Sequence, residues 1–430
     1  MDQKTECRTR ARSTETGRLL LISTICAIAP ITNAAEASLH MLMELAAVQH
    51  PSILQARDRL DAAGFDVEGA KWGRFPTISS ETRAPSNNTQ SLTKVEQPLW
   101  TGGRISAQIE LSEANRRVAR DQLREAELNV LLQLSGAYFE LLRMQARLKV
   151  ADENVAEHSR LEALIGRRVA AEVSPAADLV LANARLQQAI GERIQLVRLR
   201  DAARVALQQW SLSQVTVAKP LRRIDVLRSE SARITDDDVL VGKALAYSPQ
   251  RRRLQHQLEA ARAQRELAFS QGLPTVLAGY QHVWGGTLPS TVDRGTAYVA
   301  LQFQPGAGLT AITNRQAAAR REDAARQELL GLEREITAQV QTLLSEIDAA
   351  NAQLAPARTL LKGSAEIVDS YLRQYQVGRR NWVEVLNALR EKSQAAYGLA
   401  DVEQARDHAQ VRLLITAGEL APANLKSIDG

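Results

Sequence analysis

The chain contains the segment LMELAAVQHPSILQARDRLDAAGFDVEGAKWGRFPT at residues 42–77 and a related segment, LVGKALAYSPQRRRLQHQLEAARAQRELAFSQGLPT, at residues 240–275. Identical residues recur at a constant offset of 198 residues, among them Leu42 and Leu240, Ala46 and Ala244, Pro51 and Pro249, Leu60 and Leu258, Ala62 and Ala260, Ala63 and Ala261, Pro76 and Pro274, Thr77 and Thr275. A repeat of this length indicates one structural unit that occurs twice. Two copies of a long helical unit suit the lining of a wall or tube better than a catalytic pocket.

The repeat divides the chain into two halves that we expect to share one core. The predicted segments are a signal peptide at 1–35, a first repeat at 36–212, a linker at 213–237, a second repeat at 238–418 and a C-terminal tail at 419–430. Of all residues, 45% are hydrophobic but only 4% are aromatic, which favours close helix packing through Ala, Leu and Val. The predicted fold class is therefore mainly α with a small β part.

The first 35 residues follow the plan of a secretory signal peptide. Arginines from Arg8 to Arg18 precede an apolar run at 19–31, and small residues follow at 32–35. The apolar run includes Pro30 and is shorter than the roughly 20 residues that a membrane-spanning helix needs. We therefore predict export and cleavage, with an uncleaved anchor as the alternative.

Both cysteines, Cys7 and Cys26, lie in this leader, so we expect neither disulfides nor thiol chemistry in the exported chain. Lipid attachment at Cys26 is a disfavoured alternative, because Ile25 stands where a lipoprotein signal needs a small residue. The leader has five basic and three acidic residues, and its loss lowers the formal net charge from +5 to about +3. That charge does not favour a nucleic-acid partner.

Each half contains a very long predicted helix. Apolar residues recur with helical spacing from Gly103 to about Arg168, and about 60 residues correspond to roughly 90 Å of helix. A second such helix is predicted from Thr310 to Tyr375, with Pro356 inside it as a kink or a change of course. A coiled-coil seam and a neighbouring stripe on the first helix predict partners on two sides, as in a cylinder of helices, whereas the alternative is one wide buried face in an ordinary bundle. The seam comprises Val130, Leu134, Ala137, Leu141, Met144, Leu148, Ala151 and Val155, and the stripe comprises Leu128, Leu131, Tyr138 and Leu142.

Sharp helix ends are predicted near 166–175 and 376–382. Ser174 before Pro175 is typical of an N-cap followed by the first helical residue, and Asn381 with Glu384 resembles a capping box. Gly378 suits a reversal that needs a positive φ.

Four strands are predicted at the opposite ends of the long helices: Thr77–Ala84, Leu92–Trp100, Thr275–Trp284 and Thr296–Gln304. Strands of nine or ten residues can cross an outer membrane when tilted. Four strands cannot close a barrel, and lipid forbids open sheet edges, so membrane-spanning strands must be pooled between chains. The alternative is two soluble hairpins.

Three aromatic residues of the second hairpin, Tyr280, Trp284 and Tyr298, are candidates for the membrane interface.

Signatures of catalysis and of metal binding are missing from the sequence. The six histidines have no metal-ligand spacing, and we find no phosphate-binding loop, nucleophile elbow or zinc-protease motif. We therefore expect no enzyme, no cofactor, no bound metal and no catalytic residue.

Two motifs resemble the TolC-like outer-membrane efflux family. Gln97–Arg104 is similar to the strand-to-helix corner of that family, and Tyr375–Ala388 is similar to its second helical tip. Ala171–Asp178 is similar to the helical tip of the first repeat in that family, although Glu172 stands where the family often has glycine. The likeness extends over essentially the whole chain after the leader.

The resemblance implies a homotrimer in the outer membrane of a Gram-negative bacterium. Each chain would contribute four strands to a twelve-stranded transmembrane β-barrel and two long coiled-coil hairpins to a periplasmic α-barrel. The implied partners are outer-membrane lipid, a periplasmic adaptor (membrane fusion protein) and an inner-membrane ABC transporter or other pump that supplies the energy. The chain would be a passive exit duct.

The sequence says less about the transported substrate than about the fold and the location. Gln302–Ala311 resembles the LapE-like branch that exports adhesins, so we predict type I protein secretion. Small-molecule or drug efflux by the same kind of duct is the alternative. A periplasmic coiled-coil scaffold without a channel is a rival from another class, and an adaptor is disfavoured because it normally has one helical hairpin between β-rich domains.

Two sets of tip residues are candidate sites under this resemblance. Glu366 and Asp369 lie three residues apart on one helix face and would form an acidic channel constriction, with solvent-facing carboxylates as the alternative. Asp369 also matches an acidic position near the aperture of the family, whereas Glu366 is included for its spacing alone. The second set is predicted to dock an adaptor, or else only to cap helices and hold the turns: Val173, Pro175, Val377, Gly378, Arg379, Arg380 and Trp382.

Overall fold

A computed structural model describes residues 38–83, 90–213, 237–285, 295–304, 307 and 310–420. The predicted signal peptide, most of the predicted linker and most of the predicted tail lie outside the described residues.

The two repeats contain the same elements in the same order. The first consists of α1 (Leu39–Gln49), α2 (Pro51–Trp72), β1 (Thr77–Arg83), β2 (Gln90–Trp100), α3 (Arg104–Ala170) and α4 (Ala176–Ser211). The second consists of α5 (Asp237–Tyr247), α6 (Pro249–Ser270), β3 (Thr275–Gly285), β4 (Gly295–Gln302), α7 (Thr310–Gln376) and α8 (Trp382–Thr416). Both short helices match in length between the repeats, and α3 and α7 have 67 residues each. The duplication in the sequence is therefore a duplication of structure.

Equivalent capping groups begin the second helix of each repeat. The Ser52 backbone N–H donates to His50 Nδ1 at 3.3 Å, and the Arg251 backbone N–H donates to Ser248 Oγ at 3.2 Å. A proline follows each cap, where its missing N–H and fixed φ suit the first helical position. Different side chains thus fix the same helix start in both repeats.

The core is centred on α3. Leu134 and Leu141 of the predicted seam and Tyr138 of the neighbouring stripe are all fully buried. Helix α3 packs against α2 and α4 of its own repeat and against α6 and α8 of the second repeat. The prediction of partners on two sides of this helix is confirmed, and α7 continues as a helix through Pro356.

One antiparallel sheet joins the two hairpins in the order β1–β2–β3–β4. The strand bounds agree with the predicted ones to within two residues, and both hairpin loops lie outside the described residues. A register shift between Pro98 and Trp100 marks a bulge where β2 approaches the strand-to-helix corner. None of the helices in the described ranges is long and apolar enough to cross a membrane.

Candidate functional site

The two helical tips use the same backbone turn. The Val173 N–H donates to the Arg168 carbonyl at 2.9 Å, and the Arg379 N–H donates to the Gln374 carbonyl, also at 2.9 Å. In each bond the donor follows the acceptor by five residues, and the residue just before the donor, Glu172 or Gly378, has a left-handed backbone. This pattern closes the C-terminal end of a helix. Gly378 adopts the predicted positive φ of 75°.

Ser174 does not cap the helix that follows the first tip. Helix α4 begins one residue later than predicted, after Pro175, and its N-cap has no side-chain hydrogen bond. The Ser174 hydroxyl lies instead 3.2 Å from the Tyr375 hydroxyl and accepts from Arg168 Nε at 3.3 Å. Contacts with the other tip therefore replace the expected cap.

Arg168 joins the two tips. Its Nη1 donates to the carbonyl of Gln376 at 3.2 Å, and its guanidinium lies 4.9 Å from the centre of the Tyr375 ring. A guanidinium over an aromatic face is attracted by the negative face of the ring. Sequence reasoning missed Arg168, because its sequence position shows a basic helix end but not which tip it contacts.

Arg380 is held within the second tip. Its guanidinium lies 4.0 Å from the centre of the Tyr371 ring, its Nε donates to Gln374 Oε1 at 3.2 Å, and it forms an ion pair with Glu384. The Asn381 side chain accepts from the Val383 N–H at 3.1 Å and caps α8 as predicted. In a full capping box the Glu384 carboxylate would accept from the Asn381 backbone N–H. Here it forms an ion pair with Arg380 instead.

Trp382 belongs to a small core beneath the turns. Only 1% of its surface is exposed, and its ring centre lies 5.4 Å from that of Tyr375. The interpretation of Trp382 as part of an exposed docking surface is therefore corrected, since its ring supports the turn from inside. The buried apolar residues around it include Leu161, Ile165 and Leu389.

The outer surface of the tips is formed by other residues of the predicted docking set. Val173 and Val377 are 61% and 68% exposed, and Pro175, Gly378 and Arg379 are exposed as well. Each turn thus exposes a valine, and the second turn also exposes the guanidinium of Arg379, two residues after Val377. Residues of this kind recur in protein-binding surfaces.

Glu366 and Asp369 share one exposed face of α7, as their spacing predicts. Val368 and Tyr375 on the opposite face of the same helix are buried in the tip core. The two carboxylates lie two to three helical turns before the tip. Within the described residues, no group of three or more His, Cys, Asp or Glu side chains is placed to hold a metal ion.

The two faces of the sheet differ in charge. Among the described strands, the Glu, Lys and Arg residues all lie on one face, called the polar face here, whereas the other, called the apolar face, combines apolar residues with hydroxyl pairs such as Ser80 and Thr93. Tyr280 and Trp284 project from the apolar face and are 49% and 57% exposed. Directly opposed residues of antiparallel strands share a face, and the row of Ile78, Val95 and Tyr280 therefore lies on this side. Other exposed residues of this face are Val299 and Leu301.

Tyr298 lies on the polar face, opposite to Tyr280. It is paired with Gly279 in the row that also contains Glu96, and its hydroxyl donates to Glu96 Oε1 at 2.6 Å. The interpretation of Tyr298 as a membrane-interface aromatic is therefore corrected, since a ring bonded to that carboxylate faces away from the apolar side. Because strand side chains alternate between the two faces, the register shows on which face Tyr298 lies.

Aromatic residues at the helix end of the sheet were missed. Trp72 and Phe75 pack against each other with ring centres 5.0 Å apart, and both are more than half exposed. Trp100 is half exposed at the end of β2. The signal in the sequence is the placement of aromatics beside Lys71 and Arg74 just before a strand, a combination typical of a membrane–water boundary.

Comparison with known proteins agrees with this architecture. The sequence profile of a family described as outer membrane efflux protein matches residues 42–211 and 240–419. The cobalt-zinc-cadmium resistance protein CzcC of Cupriavidus metallidurans is 23% identical over 378 residues, which cover 85% of this chain and 86% of CzcC. The nickel-cobalt-cadmium resistance protein NccC of Alcaligenes xylosoxydans xylosoxydans is 27% identical over 185 residues, and the match spans only 41% of this chain and 42% of NccC.

The same fold occurs among solved structures. The outer-membrane channel OprN matches with a TM-score of 0.73 and 19% identity, and the match covers 88% of this chain and 89% of OprN. The family profile covers both repeats, from the first helix of each to the last. These findings confirm the resemblance indicated by the corner and tip motifs. The chain belongs to the outer membrane efflux protein family.

Proposed function

We propose that three copies of this chain form an exit duct through the outer membrane. The observation that carries the proposal is the open four-stranded sheet, in which β1 pairs only with β2 and β4 only with β3 among the described residues. Among the described residues, one face of this sheet has no Asp, Glu, Lys or Arg and exposes Tyr280, Trp284, Val299 and Leu301. A sheet with such a face belongs in lipid, where unpaired edges are costly, so neighbouring copies must supply the missing partners.

Three copies of a four-stranded sheet give a closed barrel of twelve strands. The long helices extend the duct away from the membrane, since 67 residues correspond to about 100 Å. The helical tips then lie at the far end of the duct. Val173, Val377 and Arg379 are exposed there and are suited to docking a periplasmic adaptor, while an inner-membrane pump supplies the energy.

For the cargo we propose small solutes, with divalent heavy-metal ions as the first class to test. The names of the relatives CzcC and NccC assign them to resistance against cobalt, zinc, nickel and cadmium. The predicted export of adhesins depends on residues 302–311, and four of those residues lie outside the described ranges. The relatives favour efflux over that prediction.

Two exposed carboxylates lie on α7 near the proposed entrance. In a trimer the exposed carboxylates of Glu366 and Asp369 occur three times around the axis, and rings of carboxylates favour the passage of cations. Asp369→Asn should lower the cation selectivity of single channels in planar bilayers. Glu68→Gln is a suitable control, because Glu68 is an exposed carboxylate on α2. Equal selectivity of Asp369→Asn and the wild type would place Asp369 outside the constriction.

Two measurements test the proposed function. Outer-membrane fractions should contain heat-modifiable trimers that conduct ions in planar bilayers, whereas a soluble monomer would support a periplasmic scaffold. Deletion of the gene should raise sensitivity to cobalt, zinc, nickel or cadmium and leave the secreted proteins unchanged. Loss of a large secreted protein with unchanged metal tolerance would favour adhesin export instead.

A further inference from the structure

One carboxylate on the polar face of the sheet is fixed by a neighbour two strands away. The Tyr298 side chain on β4 crosses β3, and its hydroxyl donates to Glu96 Oε1 on β2 at 2.6 Å. The strand between them offers Gly279, which is opposed to both residues. The hydroxyl is a neutral donor, so it holds the Glu96 side chain without adding an opposite charge beside it.

Gly279 makes this crossing possible. A Cβ at this position would lie 2.4 Å from Cζ of Tyr298 and 2.7 Å from its hydroxyl oxygen. Such distances are far below van der Waals contact, so any larger residue at 279 would displace the ring. The three residues Glu96, Gly279 and Tyr298 therefore act as one unit, in which the absence of a side chain on β3 allows the contact.

The other charged residues described on this face are arranged differently. Glu81 and Arg83 form an ion pair with each other at 2.9 Å, and both side chains are more than half exposed. Lys94 precedes Glu96 by two residues on the same strand and has no ion-pair partner among the described residues. Glu96 is thus the one carboxylate of this face, within the described strands, that is held by a neutral donor.

We propose that Glu96 is a selectivity-determining residue of the outer-membrane part of the duct, and that Tyr298 is its positioning residue. This inference rests on the proposed trimeric channel, in which the polar face lines the lumen. Three copies of Glu96 then form a second acidic ring at the level of the sheet, separate from the helical tips. Cations are the solutes that such a ring favours.

The dimensions of a twelve-stranded barrel allow this ring to act across the lumen. Strands about 4.8 Å apart and tilted by about 40° give a backbone radius of roughly 12 Å. A glutamate reaching about 4 Å inward leaves roughly 8 Å to the axis, which is close to the Debye length at physiological ionic strength. A solute on the axis therefore still experiences the charge of the ring.

The test is the reversal potential of purified trimers in planar bilayers under a KCl gradient. Glu96→Gln should lower the K⁺/Cl⁻ permeability ratio about threefold, the effect of a change in local potential of roughly half to one kT. Lys94→Gln should raise the ratio. Tyr298→Phe keeps the ring over Gly279 but removes the donor, and it should lower the ratio less than Glu96→Gln does. Glu68→Gln on α2 should leave the ratio at the wild-type value.

The outcomes separate this inference from the proposed function. A wild-type ratio for Glu96→Gln in a channel that conducts normally would overturn the role of Glu96. A lowered ratio for Glu96→Gln together with a wild-type ratio for Tyr298→Phe would overturn the positioning role of Tyr298. A wild-type protein that forms no channel would instead overturn the proposed duct.

Discussion

Glu172 and Gly378 occupy equivalent positions in the two tip turns, 206 residues apart, and both have a left-handed backbone. Their φ angles are 57° and 75°. The duplicated turn has therefore kept its geometry although only one copy has the residue that adopts it without steric cost. For a residue with a Cβ, a left-handed conformation costs about 1–2 kcal/mol.

Glu172→Gly should stabilise the first tip by about 0.5–1 kcal/mol, because relief of this strain exceeds the entropy that glycine adds to the unfolded chain. Gly378→Ala should destabilise the second tip by about 1 kcal/mol for the opposite reason. Hydrogen exchange of the amides in each turn measures the local change. Faster exchange in Glu172→Gly would show that the glutamate side chain stabilises the turn by contacts that outweigh the strain.

Arg168→Ala should loosen the joint between the tips. The variant loses the hydrogen bond to the Gln376 carbonyl and the contact with the Tyr375 ring, which together contribute about 1–3 kcal/mol. Hydrogen exchange near both tips should accelerate. The exposed neighbour Arg167 is the matched control, and Arg167→Ala should leave exchange unchanged. Similar effects of the two substitutions would argue against a specific role for Arg168.

Trp382→Ala should destabilise the tip core by about 3–5 kcal/mol, because it removes a fully buried ring. Val377→Ala should change stability by less than about 0.5 kcal/mol, since Val377 is exposed. If the tip docks an adaptor, Val377→Ala should nevertheless reduce crosslinking from position 379 to that adaptor. Unchanged crosslinking would remove Val377 from the docking surface.

His408 should make stability depend on pH. Burial lowers the pKa of His408 to about 4, with a further lowering by Arg412, and its ring stacks on Phe139 with centres 5.3 Å apart. In the unfolded chain the His408 imidazole binds a proton near pH 6.5, whereas in the folded chain it stays neutral until about pH 4. Stability should therefore fall by up to about 3 kcal/mol as the pH decreases from about 6.5 to about 4.

Thermal unfolding of the wild type and of His408→Gln across this pH range checks the prediction. The variant should lose most of this dependence below pH 6.5, because glutamine does not titrate. An identical pH profile for the two proteins would assign the dependence to other groups.

The periodic parts of the structure were predictable from the sequence. The first long helix was predicted from Gly103 to about Arg168 and is Arg104–Ala170, because apolar spacing and the absence of proline act along the whole segment. The strands of the second hairpin were marked by β-branched and aromatic residues between turn-forming residues, whereas the first hairpin is more polar and was marked less clearly. Each of these signals is local, so a single sequence contains it.

Side-chain contacts across the tips and across the sheet were not predictable in the same way. Ser174 was expected to cap a helix, but its hydroxyl contacts Arg168 and Tyr375. Glu384 was expected to complete a capping box, but its carboxylate forms an ion pair with Arg380. Trp382 was expected at the surface and lies in the core. Tyr298 was assigned to the membrane interface because it is an aromatic residue on a predicted strand. The face of the sheet on which it lies depends on the pairing of β4 with β3 and of β3 with β2, and one sequence does not specify that pairing.

The most direct test of the trimeric duct is a disulfide between the two edges of the sheet. Within one chain, β1 and β4 are separated by three strand spacings of about 4.8 Å each, which is too far for a disulfide. Chains with Ser80→Cys combined with Ala297→Cys or Val299→Cys should therefore form bonds only between copies. The control pair Thr93→Cys and His282→Cys joins directly opposed residues and should form a bond within one chain.

Oxidised membranes should be compared on denaturing gels without reductant. Pooling of strands between three chains predicts covalent dimers and trimers from at least one of the β1–β4 pairs, and monomers from the control pair. Only monomers from both β1–β4 pairs, with efficient oxidation of the control pair, would contradict a barrel assembled from three chains.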